Sequence, residues 1–190
     1  DTLSLHDALP ISLWPMGAVG DKVYYLSALF AALTAYTDAN NADVPYESPS
    51  NKDLRITATV LKDGTTVALD QQQANDVLNA NGVITAINAN GFKSWGNNTA
   101  AYPSTTDPKD RWWAVRRFFD WDGNNFIRTY FQKVDKPGNK RLIQSIVDSQ
   151  NIIGNGYVAR DYCAGYRVEF RSDENPVTNL LADRKSTRLN

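Results

Sequence analysis

The sequence predicts an α+β (mixed α/β) fold, a single layered domain with helices packed on a mixed sheet, and three observations predict it. Apolar residues recur at helical spacing through 21–38, 111–136 and 138–153, the pattern of helices that bury one stripe. Short runs at 55–61, 157–162 and 166–171 alternate apolar and polar residues, the pattern of half-buried strands. Asp63-Gly64, before a return run at 66–69, is a two-residue hairpin signal that requires at least one antiparallel pair.

Composition bounds the rest. At 190 residues and 42% hydrophobic, the chain is long enough for one well-buried domain and too apolar for disorder. A formal net charge of -1 argues against nucleic acid as a partner, which needs a basic face to neutralise phosphates. No apolar run reaches the roughly 18 to 20 residues of a membrane span, so no membrane insertion is expected. A single cysteine, Cys163, excludes an internal disulfide, and a small core hydrophobe is the plainest role for it.

The two ends are expected not to belong to the fold. Residues 1–12 and 183–190 match in-frame translations of the two adapters used in short-read sequencing libraries, and artefactual segments are excluded from fold reasoning. The expected domain is then 13–182, truncated at both ends. Setting the ends aside leaves the net charge at -1 and removes His6, the one histidine, and with it the commonest general base and metal ligand.

In chain order, Leu13 to Met16 reads as the end of a strand, and Gly17 and Gly20 loosen the chain before Asp21 caps a helix over 21–38. Its buried stripe is Val23, Leu26, Leu29, Phe30 and Leu33. Residues 39–53, with two prolines and many polar residues, read as a loop long enough to cover another surface or subunit. After the hairpin, Asp70 and Gln73 form an acidic variant of the capping box for a short helix to about Asn81. Residues 82–99 are the unit that organises the chain: a buried strand at 83–87, a turn through 88–91, and a return segment with Trp95 as core anchor. Pro108 is well placed to start a helix. The long aromatic helix over 111–136 sets Val115, Phe118, Phe119, Phe126, Tyr130 and Val134 close to one face, with a weak point at Gly123. The next helix turns Leu142, Ile143, Ile146 and Val147 inward and stops at Gly154 and Gly156. Two strands joined near Ala164-Gly165 follow, and Asn175-Pro176 opens a turn.

Each motif with chemical potential has a plainer reading. Asp120-Trp-Asp122-Gly resembles the start of a calcium loop, but the glycine falls at the fourth position and Phe131 stands where a bidentate glutamate is needed. As an acid/base pair, Asp120 and Asp122 point to different faces of a helix. Gly154-Asn-Gly156-Tyr-Val-Ala159 matches a relaxed dinucleotide fingerprint, which requires a strand before it and a helix after it; here it reads as a helix stop. Asn97-Asn98-Thr99 fits a glycosylation acceptor without secretory context. Arg111, Trp112, Trp113, Arg116 and Arg117 could stack on nucleic-acid bases or anchor a subunit interface; the plainer reading of the tryptophans is helix core, and the near-neutral charge argues against nucleic acid. No catalytic, cofactor-binding or metal-ligating residue is assigned.

Residues 82–99 also resemble the contractile tail sheath proteins of bacteriophages. The strand Gly82-Val-Ile-Thr-Ala-Ile-Asn88, then Gly91-Phe-Lys-Ser-Trp-Gly-Asn97, then Asn98-Thr99 follow that family's order, as do Leu13-Trp-Pro15, Arg116-Arg117, Lys136-Pro137 and Gly156-Tyr-Val158. Asn98 stands where the family usually has arginine. The resemblance implies a structural, non-enzymatic subunit without cofactors, whose copies stack as rings around a tail tube and contract. It implies other copies of itself, a tail tube protein and a baseplate as partners, and a place in the virion tail after assembly in the host cytoplasm. It further implies an N-terminal portion and a C-terminal arm outside this segment. The sheath of a phage-derived bacteriocin or secretion system fits the same residues. An α/β enzyme or ligand-binding domain is the alternative of another class and predicts a concave pocket with perturbed acids.

Overall fold

Helices alternate with antiparallel and mixed sheets along the chain, and the α+β class holds. The computed structural model describes residues 10–134, 136 and 139–171, which divide between Asp122 and Gly123 into two compact units. Most of both adapter-like ends and the Asn175-Pro176 turn lie outside the described residues. Ser12 lies inside them and pairs with Val83.

The first unit opens on β1 (Ser12–Leu13), β2 (Met16–Val19) and β3 (Lys22–Tyr25) before α1 (Leu26–Asn40). The expected helix start at Asp21 is therefore corrected to Leu26. Gly20, at φ 60°, makes a two-residue turn with Asp21, and β2 and β3 pair in antiparallel register from Met16↔Tyr25 to Val19↔Lys22. The β-branched and aromatic Val23, Tyr24 and Tyr25 suit that strand better than a helix. On α1 the buried Thr34 and Thr37 hydroxyls donate to the carbonyls of Phe30 and Leu33 at 2.7 and 2.9 Å, which satisfies polar groups in an otherwise apolar stripe.

β4 (Ala58–Val60) pairs antiparallel with β2 and is shorter than the run predicted at 55–61. The Asp63-Gly64 turn forms, and Val67 N–H donates to Thr59 O at 2.8 Å on the return. α2 (Gln71–Gln73) has the predicted capping box in both directions: Asp70 accepts from Gln73 N–H at 2.7 Å and the Gln73 side chain accepts from Asp70 N–H at 3.3 Å. It continues as a wide π turn over Ala74–Leu78 and a tight 3₁₀ turn over Asn79–Asn81.

β5 (Val83–Asn88) and β6 (Phe92–Trp95) form the strand-turn-strand unit predicted for 82–99, in antiparallel register, and β5 also pairs in parallel with β1. Ile84, Thr85, Ala86 and Ile87 are buried, and Ala86 joins Leu26, Leu54 and Ile56 in the core. The core anchor is corrected. Trp95 is half-buried and its Nε1 donates to Asn75 Oδ1 at 2.8 Å, while Ser94 and Thr99 are fully buried. Strand alternation sends Ser94 inward and Trp95 to the other face. The end of the 39–53 loop covers this sheet's own edge, since Asn51 and Leu54 N–H donate to Ser94 and Phe92 O at 2.7 and 2.8 Å. Pairing that edge internally removes an open template.

α3 (Pro108–Arg111) has Pro108 in its first turn, as predicted, behind a cap supplied by Asp107. The chain then breaks at Trp112, whose backbone is extended and bridges Asn98, before α4 (Trp113–Tyr130). The weak point is thus Trp112; Gly123 lies within the continuous helix.

The second unit holds the rest of α4, a 3₁₀ turn at Phe131–Lys133, and α5 (Lys140–Ala159), capped by Asn139 on Leu142 N–H at 2.8 Å. Gly154 and Gly156 do not stop α5; at Gly154 the Tyr166 ring fills the space a side chain would take, so packing there overrides the poor helix propensity of glycine. The strand predicted at 157–162 is helix through Ala159 followed by a turn, and 166–171 forms no strand. Cys163 is half-buried and not a core residue.

Candidate interaction surfaces

The W-G-N-N-T run is a joint built from backbone and amide groups. Asn97 Oδ1 accepts from Ala114 N–H at 3.1 Å and Asn97 O from Trp113 N–H at 2.8 Å, which caps the N-terminus of α4 from a distant loop. Asn98, buried, donates from Nδ2 to Asn79 O at 2.8 Å and accepts from Arg111 Nε at 3.3 Å. Thr99 Oγ1 donates to Asp110 O at 2.6 Å, and its N–H to Arg111 O at 2.8 Å. Sequence reading singled out Trp95 and missed that Asn97, Asn98 and Thr99 do most of the joining. The signal was the pair of adjacent asparagines after a glycine, residues that bond backbone outside regular elements.

The basic and aromatic cluster turns inward on that joint. The Arg111 guanidinium lies 4.3 Å from the Tyr102 ring centroid and 4.2 Å from that of Trp112. Arg116 pairs with Asp110 at 3.0 Å and with Asp120 at 3.2 Å. Arg117 forms a two-pronged ion pair with Asp38 of α1, one prong at 3.1 Å, and faces Trp113. Each of the three arginines therefore spends its charge or planar face on a partner in its own unit. Asp120 and Asp122 lie within α4 and form no loop, and among the described residues no group of three or more His, Cys, Asp or Glu could hold a metal ion. The glycines of the 154–159 motif lie in α5, away from any strand-to-helix turn.

One concave feature of the first unit is a groove of about 630 Å³ between α1 and residues 47–55. Leu29, Leu33 and Leu54 form its apolar floor, and Glu47 and Lys52 pair at its rim. The Asn41 amide, then Lys52, hold the Glu47 carboxyl below its usual range against the opposing effect of burial. Lys93 does the same to Asp53. Both shifts make these groups firmer carboxylates, the wrong direction for a general acid or base near neutrality.

Large apolar side chains lie open in both units: Tyr25 and Tyr36 are 64% and 67% exposed in the first, Phe131 and Ile152 70% and 72% in the second. Aromatic residues left this open are the kind that anchor protein interfaces.

No family model matches the chain. Over 175 residues, 90% of this chain, it is 28% identical to the tail sheath protein of Burkholderia phage BcepMu, of which it spans 36%. Among solved structures, it is similar to the sheath complex of an extracellular contractile injection system, PVC, in the contracted state, with a TM-score of 0.67 and 15% identity over 83% of this chain and 43% of that one. The baseplate of the anti-feeding prophage gives 0.63 and 19% over 86% and 42%. The contracted helical sheath of that prophage gives 0.62 and 20% over 84% and 43%. The chain spans about a third of the curated relative and under half of each structure. The resemblance first visible in residues 82–99 therefore extends along most of this chain, in sequence and in fold.

Proposed function

We propose that this chain is the core region of a structural subunit of a contractile tail sheath, whose copies stack as rings around a tail tube and contract to drive the tube through the host envelope. The observation that carries it is the alignment with a tail sheath protein along 90% of the chain. The site geometry supports it, since the arginines and acids of the joint are spent on internal pairs while large aromatic side chains remain exposed. On this reading the subunit is not an enzyme. Its partners are further copies of itself, the tail tube protein and the baseplate, with no nucleic acid, and it joins the virion tail after assembly in the host cytoplasm. Rings or tubes in electron micrographs of the full-length gene product are the expected result. A protein that stays monomeric at every concentration would falsify it.

A further inference from the structure

One face of α5 is built to hold the segment around Tyr166 and Val168. A Cβ at position 154 would lie 1.8 Å from Tyr166 Cδ1 and 2.3 Å from its Cγ, so the missing side chain is the space that the ring occupies. The Tyr157 ring meets Tyr166 edge-on with centroids 5.8 Å apart, and Gln150, 2% exposed, donates from Nε2 to the Tyr166 hydroxyl at 2.8 Å. Two residues further, Asn151 Nδ2 donates to Val168 O at 2.8 Å and Asn151 Oδ1 accepts from Val168 N–H at 2.9 Å. That paired exchange is what a facing residue of an antiparallel strand supplies; here one side chain supplies it from a helix.

We propose that this face of α5 is a chain lock, which fixes the direction and register in which the polypeptide leaves residue 168. Tension on the chain beyond would then be met by α5 through Tyr166 and Val168 before it could unwind the turn at 160–163. The purpose rests on the sheath reading, in which neighbouring copies pull on one another; the lock itself does not. It assigns positioning roles to Gln150, Asn151 and Gly154, and gives a reason for a glycine in a helix interior, where propensity disfavours it.

Amide hydrogen exchange of the 190-residue chain, followed by NMR, tests the lock. Val168 N–H should exchange at least roughly 10-fold more slowly than Arg167 and Glu169, as expected of a bonded amide among open ones. N151A should bring Val168 to its neighbours' rate while α5 amides stay protected. G154A adds a reading of opposite sign: on propensity alone it raises the melting temperature, whereas the lock requires a lower one and loss of Val168 protection. Equal exchange at all three amides of the unaltered chain, or a G154A protein that melts higher with Val168 still protected, overturns the lock. If the full-length product forms no tubes, the sheath reading fails while these exchange rates stand.

Discussion

At the scale of single residues, the joints of this fold rest on groups that a substitution can test one at a time. Ala42 is at φ 56°, the left-handed region that costs a residue with a Cβ about 1–2 kcal/mol. It lies just after α1, where Asn41 and Asp43 N–H both donate to Asp38 O at 2.8 Å, so the helix end imposes the conformation. Ala42→Gly should therefore stabilise the protein, by about 1 kcal/mol, reversing the usual effect of glycine. Thermal melting checks it, and a lower melting temperature would show that the backbone there is not held left-handed. Arg117 is a test of opposite sign. Its side chain and that of Asp38 are each 18% exposed, so removing one leaves a mostly buried charge, and Arg117→Ala should cost about 2–3 kcal/mol in urea unfolding. A loss under half that would mean that the pair is no more than a surface contact.

At the scale of elements, the 39–53 segment has a pH-dependent part. The Glu47 carboxyl is held below its usual range, first by Asn41 and then by Lys52. A carboxyl with a lower pKa folded than unfolded adds stability above the unfolded value, about pH 4, and that stability is lost as pH falls through the folded value. Glu47→Gln should then be less stable than the unaltered chain at pH 6, by under about 1 kcal/mol for so exposed a pair, and the gap should close below pH 4. A gap that stays constant with pH would assign the effect to something other than the charge. Elements with a local chemical signal were legible in the sequence: the Asp70–Gln73 box, Pro108 at the start of α3, the strand at 83–87 and the turn at Asp63-Gly64. Where two periods fitted the same residues, the sequence misled. Val23 and Leu26 keep helical spacing across the boundary between β3 and α1, so the Gly20-Asp21 hairpin was absorbed into the helix. Gly154 carries a stop signal, but the space beside it is taken by the Tyr166 ring, a partner twelve residues on, which the local signal does not show.

At the scale of the whole molecule, the joint after β6 was legible as a motif but not as a mechanism. Its glycine and aromatic residues marked it as important, yet the work of joining falls to Asn97, Asn98 and Thr99, whose partners Asn79, Asp110 and Ala114 meet only in the fold. The cluster from Arg111 to Arg117 posed the same difficulty, because stacking on bases and pairing with Asp38, Asp110 and Asp120 use the same residue types. Inward pairing leaves aromatic residues exposed, and on the proposed reading these are the surface that a subunit of a large assembly turns to its partners. A contracting sheath also makes a demand that a static tube does not: identical subunits must occupy two lattices. The measurement that tests this most directly is electron microscopy of assembled full-length protein before and after a mild destabilising trigger. Long, narrow tubes that convert to short, wide ones built from the same subunit are the expected result. Tubes of a single unchanging lattice, or no tubes at all, would contradict it.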